Sequence, residues 1–124
     1  ITFYFSSTNS YAEDVYLFDL IKKPTYSKAW ENLFYKEKNV DQWLTSYSKT
    51  LNGPSSPRGT LEHKGVLYQI GEVCEQHNCG ENNFYVLFAP NASQAWGIQI
   101  KNENERVFGN PDNHKIEMLR SLNK

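Results

Sequence analysis

The chain has 124 residues, a formal net charge of −1 and 15% aromatic residues, with a mean hydropathy of −0.68. That length suits one domain spanning 1–124 with a substantial core. No stretch approaches the ~18 apolar residues of a membrane span, and near-neutral charge argues against a general nucleic-acid binder. The chain begins at Ile1 rather than Met, which points to a cleaved export signal or to a truncation.

Residues 1–9 are expected to form an extended lead-in. Ser10-Tyr11-Ala12-Glu13 has the form of a capping box. It would open a helix with Val15, Phe18 and Ile21 on one face, ended by Pro24 after the basic pair Lys22 and Lys23. A second helix is predicted from Tyr26 to Lys38, with Trp30, Leu33 and Phe34 as its core-facing stripe. Asn39-Val40-Asp41-Gln42 looks like another helix cap, ahead of a short turn carrying Trp43 and Leu44. Asn52-Gly53-Pro54-Ser55-Ser56-Pro57 then breaks the pattern as a short connection.

From that break the hydrophobic period changes to two. Thr60–His63 and Val66–Val73 flank Lys64-Gly65, a hairpin signal. Val66, Tyr68 and Ile70 alternate with Gln69 and Gly71. A loop from Cys74 to Cys79 leads into a strand over Phe84–Ala89. Pro90-Asn91-Ala92-Ser93 turns into Ala95–Lys101, where Trp96, Ile98 and Ile100 share a face. Asn102 to Glu105 is expected to be a turn and Arg106–Phe108 a short last strand. Asn110-Pro111 would start a final helix, docked through Ile116, Leu119 and Leu122. The expected class is α+β: an antiparallel sheet of about five strands flanked by helices, with the cysteine loop projecting between two of the strands.

Cys74-Glu75-Gln76-His77-Asn78-Cys79, followed by Gly80, carries the only two cysteines in the chain. If they pair, the ring is worth roughly 2 kcal/mol, enough to stiffen a tip and too little to explain a fold. His77 would sit near its apex, and Gly80 could take positive φ to turn the chain back. This cysteine spacing fits an oxidising compartment, although two reduced thiols would have the same spacing.

Cys74, His77 and Cys79 could instead serve a small redox or metal module. Structural zinc wants four ligands, commonly in two pairs, and no second pair follows. The only other histidines, His63 and His114, are expected at the surface. A Cys-His nucleophile is disfavoured because the base lies in the same tight loop and a second cysteine is placed to oxidise the first. The chain has no Gly-rich phosphate loop and no G-x-S-x-G elbow. Neither catalytic residues nor a metal or other cofactor are expected. Asn91-Ala92-Ser93 matches a glycosylation triplet of the kind that arises by chance. Between Lys64 and Lys101 there is no Lys or Arg, while Glu72, Glu75 and Glu81 flank the loop. An acidic tip would steer toward a basic partner, and a plain solvated face would have the same composition.

At these residues the chain resembles the Ivy family, the inhibitors of vertebrate (c-type) lysozyme made by Gram-negative bacteria. That family is marked by a C-K-P-H-D-C loop followed by Gly, projecting between two strands. Cys74, His77, Cys79 and Gly80 match it, and Tyr68-Gln69-Ile70 stands where the family has Y-Q-V. Trp43-Leu44, Gly53 and Pro57 resemble the upstream W-V, G and P run. The similarity covers roughly residues 25–110 and is densest at 66–99. Glu75, Gln76 and Asn78 depart from the family's Lys, Pro and Asp. Losing the proline gives up some rigidity and makes a disulfide matter more, and the charge of the tip changes from mixed to acidic.

The resemblance implies a periplasmic, non-enzymatic inhibitor of c-type lysozyme, either monomer or homodimer, in which residues 74–80 form the inhibitory loop. The loop would be closed by a Cys74–Cys79 disulfide, with His77 hydrogen-bonding both catalytic carboxylates of the muramidase. Its target could also be a lytic transglycosylase, or a rival's secreted muramidase met by an immunity protein.

Overall fold

The structure is a computed structural model and describes residues 14–123. The extended lead-in expected over 1–9 and the capping box at Ser10–Glu13 lie outside the described residues. Helix α1 spans Leu17–Ile21 and starts later than its apolar spacing suggests. Val15 and Arg58 exchange backbone hydrogen bonds of 2.8 and 2.9 Å, an antiparallel bridge that holds the chain extended just ahead of the helix. The buried face is consequently Leu17, Leu20 and Ile21 rather than Val15, Phe18 and Ile21.

Pro24 both ends α1 and opens α2, Pro24–Phe34, at its first turn, where a missing N–H costs nothing. The predicted stripe of Trp30, Leu33 and Phe34 is buried, joined by Ala29. Helix α2 stops four residues before the predicted end. The polar run after it has no face to bury, and Arg106 takes the carbonyls of Lys38 and Asn39 at 2.7 and 2.9 Å. Two single-turn helices follow, α3 (Gln42–Thr45) and α4 (Tyr47–Thr50).

The sheet is a five-stranded antiparallel meander in the order β1-β2-β3-β4-β5. Its strands are β1 (Thr60–His63), β2 (Val66–Cys74), β3 (Asn82–Phe88), β4 (Ala95–Lys101) and β5 (Asn104–Phe108). Asn82 and Asn83 look like loop in sequence, yet they pair with Lys101 and Ile100 and start β3 two residues early. The last hairpin turn shortens to Asn102-Glu103, whose φ values of 50° and 71° are those of a tight primed turn, and β5 lengthens accordingly. Helix α5, Asn113–Ser121, is capped by the Asp112 carboxylate accepting from the Lys115 N–H at 2.9 Å. Pro111 therefore precedes the helix instead of opening it.

Strand alternation sends side chains to two cores, one on each face of the sheet. Phe84, Val86, Phe88 and Phe108 meet α1 to α4, where Trp30 lies 5.1 Å from Phe84 and 5.4 Å from Tyr47 between ring centroids. Tyr68, Ile70, Leu87, Trp96 and Ile98 meet Met118, Leu119 and Leu122 on the α5 side. Gly97 lets Phe84 lie flat on the sheet, because a β-carbon there would sit 2.3 Å from Phe84 Cζ. With both faces covered, Asn82 and Gln99 on the α1–α4 face end up inside at 1% and 5% exposure. Among the described residues no helix is long and apolar enough to cross a membrane.

Candidate functional site

Beyond the last β2–β3 pair, Cys74↔Asn83, the chain runs out of the sheet and back. Cys74 and Cys79 are joined by a disulfide with their Cα atoms 5.0 Å apart, a normal separation. Residues 76–81 are exposed. The Asn78 N–H donates to the Glu75 carbonyl at 2.9 Å, closing a four-residue turn. Only its third residue, His77, has positive φ, 67°, which is the type II pattern. Gly80 does not have positive φ, and a β-carbon there would meet nothing within 4 Å. The chain reversal assigned to Gly80 is therefore made at His77, whose imidazole stands at the apex.

Side chains within the loop bind each other. The Asn78 amide donates to Glu75 Oε1 at 2.9 Å, and Asn83 Nδ2 donates to the Cys79 carbonyl at 2.8 Å. These bonds tie the turn to itself and to the start of β3. His77 has no hydrogen-bond partner among the described residues. The three carboxylates expected to make an acidic tip do not act alike. Glu72 is ion-paired with Arg58, Glu75 turns inward, and only Glu81 is exposed without an ion pair among the described residues.

Beneath the loop lies a polar cluster that sequence reasoning missed. Asn82 Nδ2 donates both to Glu75 Oε1, at 3.2 Å, and to Asp41 Oδ2, at 3.0 Å. Gln99 Nε2 donates to Asn82 Oδ1 and to Asp41 Oδ2, each at 2.9 Å. Trp43 Nε1 also reaches Asp41 Oδ2, at 3.3 Å, and Lys101 Nζ reaches Oδ1 at 3.0 Å. Burial of Asp41 opposes its ionisation, but the hydrogen bonds from Asn82, Lys101 and Gln99 together outweigh it and hold the carboxyl below its usual range. Asp41 stands at the N-cap position of α3 without capping it. Its oxygens face the sheet instead. No sequence signal marked the cluster: Gln99 alternates with Ile98 and Ile100 as a solvent-facing residue would, and only the helices covering that face bury it.

The Asn52–Pro57 connection braces the same end. The Cys74 N–H donates to the Pro54 carbonyl at 3.0 Å, and Ser55 Oγ donates to the Glu72 carbonyl at 2.6 Å. Gly53, at φ 128°, allows this approach, since a β-carbon would come within 2.7 Å of the Cys74 carbonyl oxygen. His63 and His114 lie with ring centroids 5.5 Å apart and planes tilted by 37° at the other end of β2, far from the loop. No group of three metal-ligating side chains occurs among the described residues, and both cysteines are used in the disulfide. A cleft between α2 and the Pro90–Ala92 turn, lined by Lys28, Asn32 and Asn91 among others, lies at the far end of β3 and takes no part in the loop.

Comparison with known proteins identifies the family. The family model described as inhibitor of vertebrate lysozyme (Ivy) matches residues 25–121. The inhibitor of vertebrate lysozyme of Pseudomonas aeruginosa is 34% identical over 117 residues, covering 83% of this chain and 74% of that protein. An uncharacterized protein of the same organism is 29% identical over 76 residues, 61% of this chain and 46% of its own length. One from Yersinia pestis is 24% identical over 82 residues, 66% and 51% respectively. The chain thus spans about half the length of these last two relatives. The matched segment runs from α2 to the end of α5 and contains the whole loop with its supporting cluster, and the chain belongs to the Ivy family of lysozyme inhibitors.

Proposed function

We propose that this protein blocks a c-type lysozyme by seating residues 74–80 in the muramidase cleft, with His77 between the two catalytic carboxylates. The observation that carries this reading is the loop's pattern of satisfaction. Glu75, Asn78 and the Cys79 carbonyl are engaged internally, and the imidazole at the apex is exposed and unengaged among the described residues. Such a group is a ready donor and acceptor on a tip that loses little entropy when it binds.

The target chemistry fits. Lysozyme keeps one carboxyl protonated and the other ionised by giving them different environments. A neutral imidazole offers one N–H and one lone pair, so it can donate to the carboxylate while accepting from the acid. The ring takes part in no bond making and leaves the enzyme with both groups occupied. An oxidising compartment outside the inner membrane, such as the periplasm, suits both the disulfide and a cell-wall hydrolase as partner. The positions that depart from the family loop at 75 and 78 bond to each other. Of the three departures, only Gln76 has a side chain unengaged among the described residues and free to meet a partner.

Turbidity-clearing assays against c-type, g-type and i-type lysozymes and a lytic transglycosylase test the reading. Inhibition of the c-type enzyme, lost in His77→Ala, is expected. Inhibition confined to the transglycosylase would transfer the target to an enzyme of the producing cell, and no inhibition of any of the four would overturn the proposal.

A further inference from the structure

We infer that Asp41 is the positioning residue of the loop, holding His77 in place from the helical layer through Asn82 and Glu75. The bearing on inhibition rests on the function proposed above, whereas the positioning itself does not. Asp41 precedes α3, and the loop belongs to the β2–β3 hairpin. Neither backbone pairing nor the disulfide connects the two. The side chains do so through three successive bonds: Asn82 to Asp41, Asn82 to Glu75, and Asn78 to Glu75.

Two features separate this chain of bonds from an ordinary surface ion pair. Asn82 is buried and fully committed, with both amide protons donated and its oxygen accepting from Gln99. Three donors converge on one oxygen, Asp41 Oδ2, from Trp43, Asn82 and Gln99, while Lys101 touches only the other. Removing the carboxylate leaves amide protons without acceptors inside the protein, a state that costs more than losing a solvated contact. The least costly relief is rotation of the Asn82 side chain, which releases the Glu75 carboxylate and, through it, the Asn78 amide, leaving the turn that carries His77 on its backbone bonds alone.

The test uses Asp41→Ala, Asp41→Asn and Lys101→Ala in the intact protein. Hydrogen exchange at the Asn78 and Asn82 amides reads loop posture without any partner, and inhibition of a c-type lysozyme reads its consequence. Asp41→Ala should speed exchange at both amides about tenfold or more and weaken inhibition by a similar factor. Asp41→Asn keeps an oxygen for Asn82 and Gln99 and should restore both readouts to within about threefold of the parent, as should Lys101→Ala. If Asp41→Ala does not fold, Glu75→Ala, which breaks the same chain of bonds one link nearer the loop tip, must produce the two changes. Unchanged exchange in the alanine variants would overturn the inference. So would equal damage from Lys101→Ala, which would make the ion pair the anchor. A parent that inhibits no muramidase removes the proposed function and leaves the exchange result to decide the positioning.

Discussion

Replacing His77 separates the loop's geometry from its chemistry. The residue sits at φ 67°, where a β-carbon crowds the following carbonyl. That crowding costs roughly 1–2 kcal/mol for any residue but glycine. Ala keeps the β-carbon and hence the strain, so His77→Ala should leave stability within about 0.5 kcal/mol of the parent, as an exposed substitution. His77→Gly relieves the strain, but glycine's greater freedom in the unfolded chain returns about 0.5–1 kcal/mol. The glycine variant should therefore be more stable than the alanine variant by about 0.5–1 kcal/mol, or about 2–4 °C in melting temperature for a chain of this size. Both variants lack the imidazole. A central, desolvated anchor is worth at least about 2 kcal/mol, so both should lose about 30-fold or more in affinity. Thermal melts and lysozyme inhibition measured on the same three proteins decide the matter. Inhibition by His77→Ala within about threefold of the parent would remove His77 from the mechanism. A glycine variant that melts below the alanine variant would refute the turn geometry.

Reduction of the ring should affect binding more than folding. A Cys74→Ser, Cys79→Ser double variant forfeits roughly 2 kcal/mol of loop closure, and a large drop in melting temperature with normal inhibition would contradict the local role of the ring. Low pH should release the loop through Asp41. Its carboxyl is held below the usual range, so its contribution is complete above about pH 4 and is lost as pH falls through the folded-state value. Amide exchange at Asn78, corrected for intrinsic pH dependence, should accelerate only below that point, and acceleration already at neutral pH would assign the effect elsewhere. Binding should take up a proton near pH 8, because an imidazole between two carboxylates favours the protonated set. Calorimetry in buffers of different ionisation heat counts that proton, and equal heats would exclude the placement. Gly97→Ala should destabilise by about 1–3 kcal/mol through its clash with Phe84, and a melting temperature equal to the parent's would show that the aromatic core can yield.

The site's apex and its supports were not equally legible. The loop was visible because its information is local: two cysteines and a histidine within six consecutive residues, bounded by period-two strands. That the cysteines pair rested on the family resemblance, since two reduced thiols would have the same spacing, and the structure joins them. The turn type was half visible. Gly80 looked like the residue of positive φ, but the Glu75–Asn78 bond places that demand on His77. The inward direction of Glu75 was hidden, since a glutamate in an exposed loop is written the same way whether it meets solvent or an amide beneath it.

Alternation and stripe spacing alone determined the α+β class, the hairpin order and part of the core, including Trp30, Leu33, Phe34, Tyr68, Ile70, Trp96 and Ile98, because side-chain direction follows the backbone period within each element. Only the tertiary structure decided what Asp41, Asn82 and Gln99 do. Asp41 has the sequence of a helix cap and becomes the acceptor for donors 41 and 58 positions away. Such a role depends on which face of the sheet the helices cover. With α1 to α4 packed on one face and α5 on the other, that face is dry, and a buried amide there must find partners across the layers rather than along the chain.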